Sequence, residues 1–287
     1  MNRTLAHPAL PVDASKAGTH RFARTMVATM ADLLQLAGAP AAAPGAARQI
    51  PVTLRKLHAG ESLVHEGAPA EALFFVCAGS FKIFHTHEDG YEQVLAFAIR
   101  GDLLGFDALC VASYPVAISA LEDSVAYVVP RSDIPQWSQA LPSFALVLQQ
   151  AGSLTLARSR EQVDIMAAVA SEVRLARFLI QYARRMAGCG HSPRCFILPM
   201  GRREIASLLG VAHETVSRSF TTLAALGLLQ VCDREVVILD RGGLEVFARS
   251  TRRQMETPAT ERARASTHAT HAMQAQPRHA TPRHLAA

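Results

Sequence analysis

The sequence predicts an α+β chain in which a β-rich domain, a long helix and a C-terminal winged helix-turn-helix follow one another. Three observations carry this prediction. From Val52 to about Val129, short runs of Val, Leu, Ile and Phe alternate with Gly-marked turns. Helical periodicity then runs from about Ser143 to Met186. After it, G-R-R-E-I-A-S-L-L-G-V-A-H-E-T-V-S-R-S-F carries two short amphipathic segments around one Gly.

Residues 1–50 precede the patterned region and are rich in Ala and Pro, with A-P-A-A-A-P-G-A-A near their end. They read as a flexible leader with room for one helix around Phe22 to Leu36. No apolar run approaches the ~18 residues of a membrane span. The N-terminus also lacks the charged, apolar, small-residue order of a signal peptide. A soluble cytoplasmic protein is expected. Cys77, Cys110, Cys189, Cys195 and Cys232 are an odd, scattered set, unlike a secreted disulfide framework.

Residues 51–142 form the predicted β domain. Leu73-Phe74-Phe75-Val76 precedes Gly79, Phe81 to Phe84 precedes Glu88-Asp89-Gly90, and Val94 to Ile99 precedes Gly101-Asp102. Cys77 and Cys110 fall in these strands or at their edges and are expected to be buried and structural. His58, His65, His85 and His87 are expected at the surface.

Residues 143–187 form the predicted helix. Leu156, Val163 and Ala170 recur every seven residues, and Ser159, Met166 and Val173 follow each by three. These six residues make an a/d seam suited to joining two copies of the chain. An amphipathic helix packed on its own domain would share the spacing.

Residues 188–250 form the third domain. Ile205, Leu208 and Leu209 give the first short helix its apolar face, Gly210 supplies the turn, and Ala206 is small where two helices cross. The second helix is predicted from His213 to Ala225. Glu214, Ser217 and Arg218 lie at i, i+3 and i+4, on one face near its N-terminus. In a recognition helix that part reaches base edges, where Arg grips guanine and Glu accepts from cytosine. His213 and Thr215 belong to the same surface, and Arg202 and Arg203 are placed for phosphate contact. An i, i+4 Glu/Arg pair is also a common surface ion pair. Val231 and Val236 to Leu239 predict a hairpin wing turning near Asp233-Arg234.

Residues 251–287 read as a disordered basic tail. The formal charge of +5 lies wholly beyond residue 190, where 13 Arg face 8 acidic residues. Charge alone leaves a nucleic-acid contact and a solvated tail equally open. The four His of the tail read as part of the solvated tail rather than a metal site, and the Cys189/Cys195 pair around His191, which fits no common zinc spacing, reads as inert rather than as a redox switch, so no metal site is predicted.

These motifs resemble the CRP/FNR family. The stretch from Ser192-Pro193-Arg194 to Glu214-Thr215-Val216-Ser217-Arg218 is similar to the DNA-binding end of the FNR-like branch, whose reading head is E-x-x-S-R. Upstream, L-H-A-G-E-S-L-V-H-E-G-A-P-A-E-A-L-F-F-V-C-A-G-S-F-K-I-F resembles the opening strands of the family's cyclic-nucleotide-binding-like β-roll. G-D-L-L-G-F-D-A-L from Gly101 resembles the FNR-like stretch closely. The likeness covers about Leu54 to Asp240. It implies a homodimeric transcription regulator, working with RNA polymerase on a TTGAT-N4-ATCAA type site.

Two departures bear on cofactors. No Arg lies between Gly101 and Val129 to grip a cyclic phosphate, which would be poorly compensated without one. No Cys precedes Cys77, and Tyr127 stands where the branch's β-roll cluster ligand would be. Neither cyclic AMP nor an iron–sulfur cluster is therefore expected, as in FixK-like members. No nucleophile–base pair, P-loop or GxGxxG follows the β-roll, so no enzyme is expected. The alternative is a haem or small-ligand sensor whose main role is not DNA binding.

Overall fold

The computed structural model of the chain describes residues 26–39 and 45–249. They fall into two compact units that divide between Ser159 and Arg160. No helix among the described residues is long and apolar enough to cross a membrane.

The first unit holds β1 (Met26–Thr29), α1 (Met30–Leu36), β2 (Pro51–Leu57), β3 (Ser62–Val64), β4 (Ala72–Ala78), β5 (Ser80–Thr86), β6 (Glu92–Ile99), β7 (Leu103–Leu104), β8 (Ala117–Ala120), β9 (Ser124–Pro130), α2 (Ile134–Ala140) and most of α3 (Pro142–Ala167). One antiparallel sheet has the order β1-β2-β9-β4-β7, the other β3-β8-β5-β6. This is the predicted β-roll.

Strand β4 shows why its sequence is an unbroken apolar run. Successive side chains point to opposite faces of a sheet, and both faces of β4 are covered. Phe74 and Val76 pack with Phe81, Ile118 and Leu63 between the two sheets. Leu73 and Phe75 pack on the other side with Met30, Leu33 and Leu34 of α1 and Phe144 and Val147 of α3. Gly152 lets α3 lie against the roll, because a Cβ there would stand 2.6 Å from the Phe106 ring. Asp102 is held below α3 by an ion pair with Arg158 (2.7 Å) and by the Ile99 N–H (2.8 Å).

Part of the expected leader is folded. Met26–Thr29 pairs antiparallel with Pro51–Leu54, and the helix expected from about Phe22 begins at Met30. Thr29 caps it by accepting the Asp32 N–H, while the Asp32 carboxylate accepts the Thr29 N–H at 2.8 Å. Met30, Leu33 and Leu34 are fully buried. The Ala/Pro composition around them hides three core residues at helical spacing. Gly45–Arg48 adds a short 3-10 turn whose Ala47 is buried, while residues 1–25 and 40–44 and the basic tail with its four His lie outside the described residues. Cys77 is half-buried and Cys110 is exposed, so the expectation of a buried Cys110 is corrected.

The second unit holds the end of α3, then α4 (Ser171–Gly188), β10 (Cys195–Ile197), α5 (Arg202–Leu209), α6 (His213–Ala225), β11 (Leu229–Cys232), β12 (Glu235–Ile238) and α7 (Arg241–Arg249). The single helix expected over 143–187 is two. Ala170 has extended backbone angles (φ −81, ψ 133) and starts α4. The break reassigns the seam. Leu156 and Val163 on α3 are exposed, at 55% and 70%, whereas Val173 is only 1% exposed in the core of the second unit. Ala170 and Val173 are thereby removed from the predicted seam, and Leu156, Ser159, Val163 and Met166 remain on α3. Helix α4 belongs with the helix-turn-helix, upstream of the boundary expected at 188.

Leu33→Ala is expected to cost about 2–5 kcal/mol in denaturant unfolding, as a buried Leu deletion does. A flexible leader would give no change.

Candidate nucleic-acid interface

Helix α5 opens where the Glu204 carboxylate accepts the Gly201 N–H at 2.8 Å. It closes at Gly210, whose left-handed backbone (φ 62, ψ 42) turns the chain toward α6. Ile205, Leu208 and Leu209 are buried, and Ala206 is buried at the crossing with α6. Ala212 precedes α6 without a side-chain acceptor. The Ala212 carbonyl accepts the Thr215 N–H at 3.0 Å and the Val216 N–H at 3.2 Å.

Helix α6 is sharply two-faced. Val216, Ser219, Phe220 and Leu223 are buried, while His213, Glu214, Ser217 and Arg218 are exposed. The predicted reading trio therefore shares one solvent face in the first two turns. Glu214 and Arg218 are not spent on each other. The Glu214 carboxylate lies 3.1 Å from His213 Nδ1, and Arg218 donates to the Thr215 hydroxyl at 3.3 Å. Ser217 donates to the His213 carbonyl at 3.3 Å. Thr215 is half-buried and acts as a rest for Arg218.

Arg202 and Arg203 part company. Arg203 is exposed at the start of α5. Arg202 is half-buried, with its guanidinium 3.6 Å from the centre of the Phe220 ring and a hydrogen bond to the Asp233 carbonyl at 3.2 Å. Burial lowers its pKa, against the opposing influence of Asp233. It therefore ties α5 to α6 and to the wing turn. Sequence spacing gave no sign of this, because Phe220 and Asp233 are remote in the chain.

The wing is a three-stranded sheet in the order β10-β12-β11. Its turn stands at the predicted place, with Asp233 at φ 53. The Cys195 thiol donates to the Glu235 carboxylate at 3.3 Å, and that hydrogen bond leads the causes raising its pKa. Cys189 sits at the C-cap of α4. Among the described residues, no group of three or more His, Cys, Asp or Glu is placed to hold a metal ion.

Comparison with known proteins agrees with both units. Residues 54–140 match the cyclic nucleotide-binding domain, and residues 173–247 match the Crp-like helix-turn-helix domain. The transcriptional activator protein FnrA of Stutzerimonas stutzeri is 33% identical over 194 residues, covering 68% of this chain and 80% of that protein. The transcriptional regulatory protein btr of Bordetella pertussis is 33% identical, covering 66% and 78%. Among solved structures, FixK2 of Bradyrhizobium japonicum superposes with a TM-score of 0.62 at 27% identity, over 69% of this chain and 98% of that one.

Arg202→Ala is expected to lower the melting temperature, with a loss of about 1–2 kcal/mol for a partly desolvated cation–π contact. The salt dependence of non-specific DNA binding should stay as in the wild type. A phosphate contact would instead reduce that slope by about one.

Proposed function

The chain belongs to the CRP/FNR family of DNA-binding transcription regulators, and from that premise we propose that it reads a two-fold symmetric TTGAT-N4-ATCAA type site as a homodimer. Glu214, Ser217 and Arg218 are the reading residues in each half-site. The observation that carries this reading is the exposed placement of all three on the first two turns of α6. Arg218 takes guanine O6 and N7 with two hydrogen bonds, and Glu214 accepts from cytosine N4. His213, Thr215 and Arg203 line the same approach, and Arg203 takes a phosphate.

The dimer uses Leu156, Ser159, Val163 and Met166 of α3. Leu154, Leu156 and Val163 stand more than half exposed on this helix, an apolar stripe that a second copy would cover. RNA polymerase is the partner that the family reading implies for such a regulator.

No cyclic nucleotide and no iron–sulfur cluster take part in this proposal. Tyr114 fills the interior of the roll, packed near Phe74, and its hydroxyl both donates to the Ala72 carbonyl (2.6 Å) and accepts the Ala72 N–H (3.1 Å). Tyr127, which the family resemblance sets at the cluster position, has its pKa raised to about 12 by burial and then by the neighbouring Cys77. Such a phenol keeps its proton at neutral pH and is a poor stand-in for a thiolate.

The test is a gel-shift series on TTGAT-N4-ATCAA and single-base variants. Arg218→Ala should lose about 1–3 kcal/mol of discrimination at the G·C pair of each half-site. A variant that ranks the bases as the wild type does would remove Arg218 from the reading head. Val163→Glu should place two like charges across the seam and yield a monomer with weak DNA binding, measured by sedimentation. A dimer that persists would move the seam elsewhere.

A further inference from the structure

The last turn of a helix leaves carbonyl oxygens without intrahelical partners. At the end of α5, which leads into the reading helix, each of these can be followed. The Ala206 carbonyl accepts the Val211 N–H at 3.1 Å, and the Ser207 carbonyl accepts the Gly210 N–H at 3.3 Å. The other two are met from outside the helix-turn-helix. Gln162, on α3, donates through Nε2 to the Leu208 carbonyl at 3.0 Å. Arg174, in the first turn of α4, donates through Nη1 to the Leu209 carbonyl at 2.9 Å. The same guanidinium donates through Nε to the Ala168 carbonyl at 2.7 Å, inside the break between α3 and α4.

The surrounding contacts close the arrangement. A Cβ on Gly210 would stand 2.9 Å from the Met166 methyl, so the turn is pressed against the end of α3. On the reading helix itself, the buried Ser219 hydroxyl lies 3.2 Å from that of Ser171, the first residue of α4. The turn of the motif is thus pinned to the α3–α4 junction at three places, each within the second unit.

We infer that Gln162 and Arg174 are positioning residues for sequence reading, which hold the C-terminal carbonyls of α5 and so fix the angle at which α6 presents Glu214, Ser217 and Arg218. Both side chains are committed to backbone carbonyls rather than to the face that carries Glu214, Ser217 and Arg218. Arg174 suits the task because its planar fork reaches two carbonyls at once, which a Lys ammonium cannot do with the same geometry. Gln162 ties this end to α3, the helix that also carries Val163 and Met166 of the proposed seam. The inference rests on α6 being the reading helix.

The experiment uses the full chain. A duplex selected by the wild type from a random-sequence pool serves as the specific site, and a scrambled duplex serves as the non-specific one. Gln162→Met keeps length and neutrality but removes the donor, and Arg174→Lys keeps charge but removes the bridge. Each should lower the ratio of specific to non-specific affinity by roughly three- to tenfold, the effect of losing one hydrogen bond. Non-specific affinity and its salt dependence should remain those of the wild type. Gln162→Arg restores a donor and should restore the ratio. Circular dichroism confirms that the variants are folded; where Arg174→Lys is not, Gln162→Met alone decides. An unchanged ratio in folded Gln162→Met protein, or a parallel fall on both duplexes, would overturn the inference. A wild type that selects no sequence would overturn the reading of α6 and this inference with it.

Discussion

The apolar face of α4, from Val173 to Ala183, is the surface on which the helix-turn-helix depends. Eight of its residues are buried, and α5, α6 and α7 all pack against the helix. A helix can serve that core only if its stripe points inward. The stripe on α3 points outward at Leu156 and Val163. One straight helix would have to carry both on a continuous heptad, and the break at residues 168–170 resolves the conflict. The break in turn creates the Ala168 carbonyl that Arg174 caps.

Arginine has a second occupation in this protein besides its charge. Arg174, Arg177, Arg202 and Arg234 each donate to a backbone carbonyl within the second unit. In the first unit Arg55 reaches the Leu63 and Ser62 carbonyls, and Arg131 those of Leu109 and Val111. A guanidinium has five donors and no acceptor, so it closes loops and helix ends that offer only oxygen. Net positive charge therefore overstates the surface available to DNA. Arg203 and Arg218, by contrast, are exposed.

The first unit is organised by a comparable economy. Strand β4 feeds two cores, so the roll and its helical layer form on one strand and stand or fall together. The Asp102–Arg158 pair adds a polar tie between the Gly101 turn and α3. Tyr114 packs inside the roll near Phe74, with its hydroxyl bonded to the Ala72 backbone.

The helix-turn-helix was legible because its constraints are local. Ile205, Leu208, Gly210 and Val216 lie within twelve residues, and helical spacing alone assigns Glu214, Ser217 and Arg218 to one face. The roll was legible in the same way, from Gly-marked turns between short apolar runs. What the spacing left open needed partners distant in sequence. Met30, Leu33 and Leu34 lie in an Ala-rich leader, and packing against Leu73, Phe75 and Val129 of the sheet and Phe144 and Val147 of α3 makes them core. The A-A-V-A-S stretch at 167–171 is locally compatible with a continuing helix, and burial of Val173 beneath the reading motif decides that it breaks. Arg202 and Arg203 are neighbours of one type, yet Phe220 and Asp233 take only the first. Periodicity along the chain determines which residues share a face, whereas tertiary packing determines what that face meets, because burial free energy depends on contacts that close over long loops.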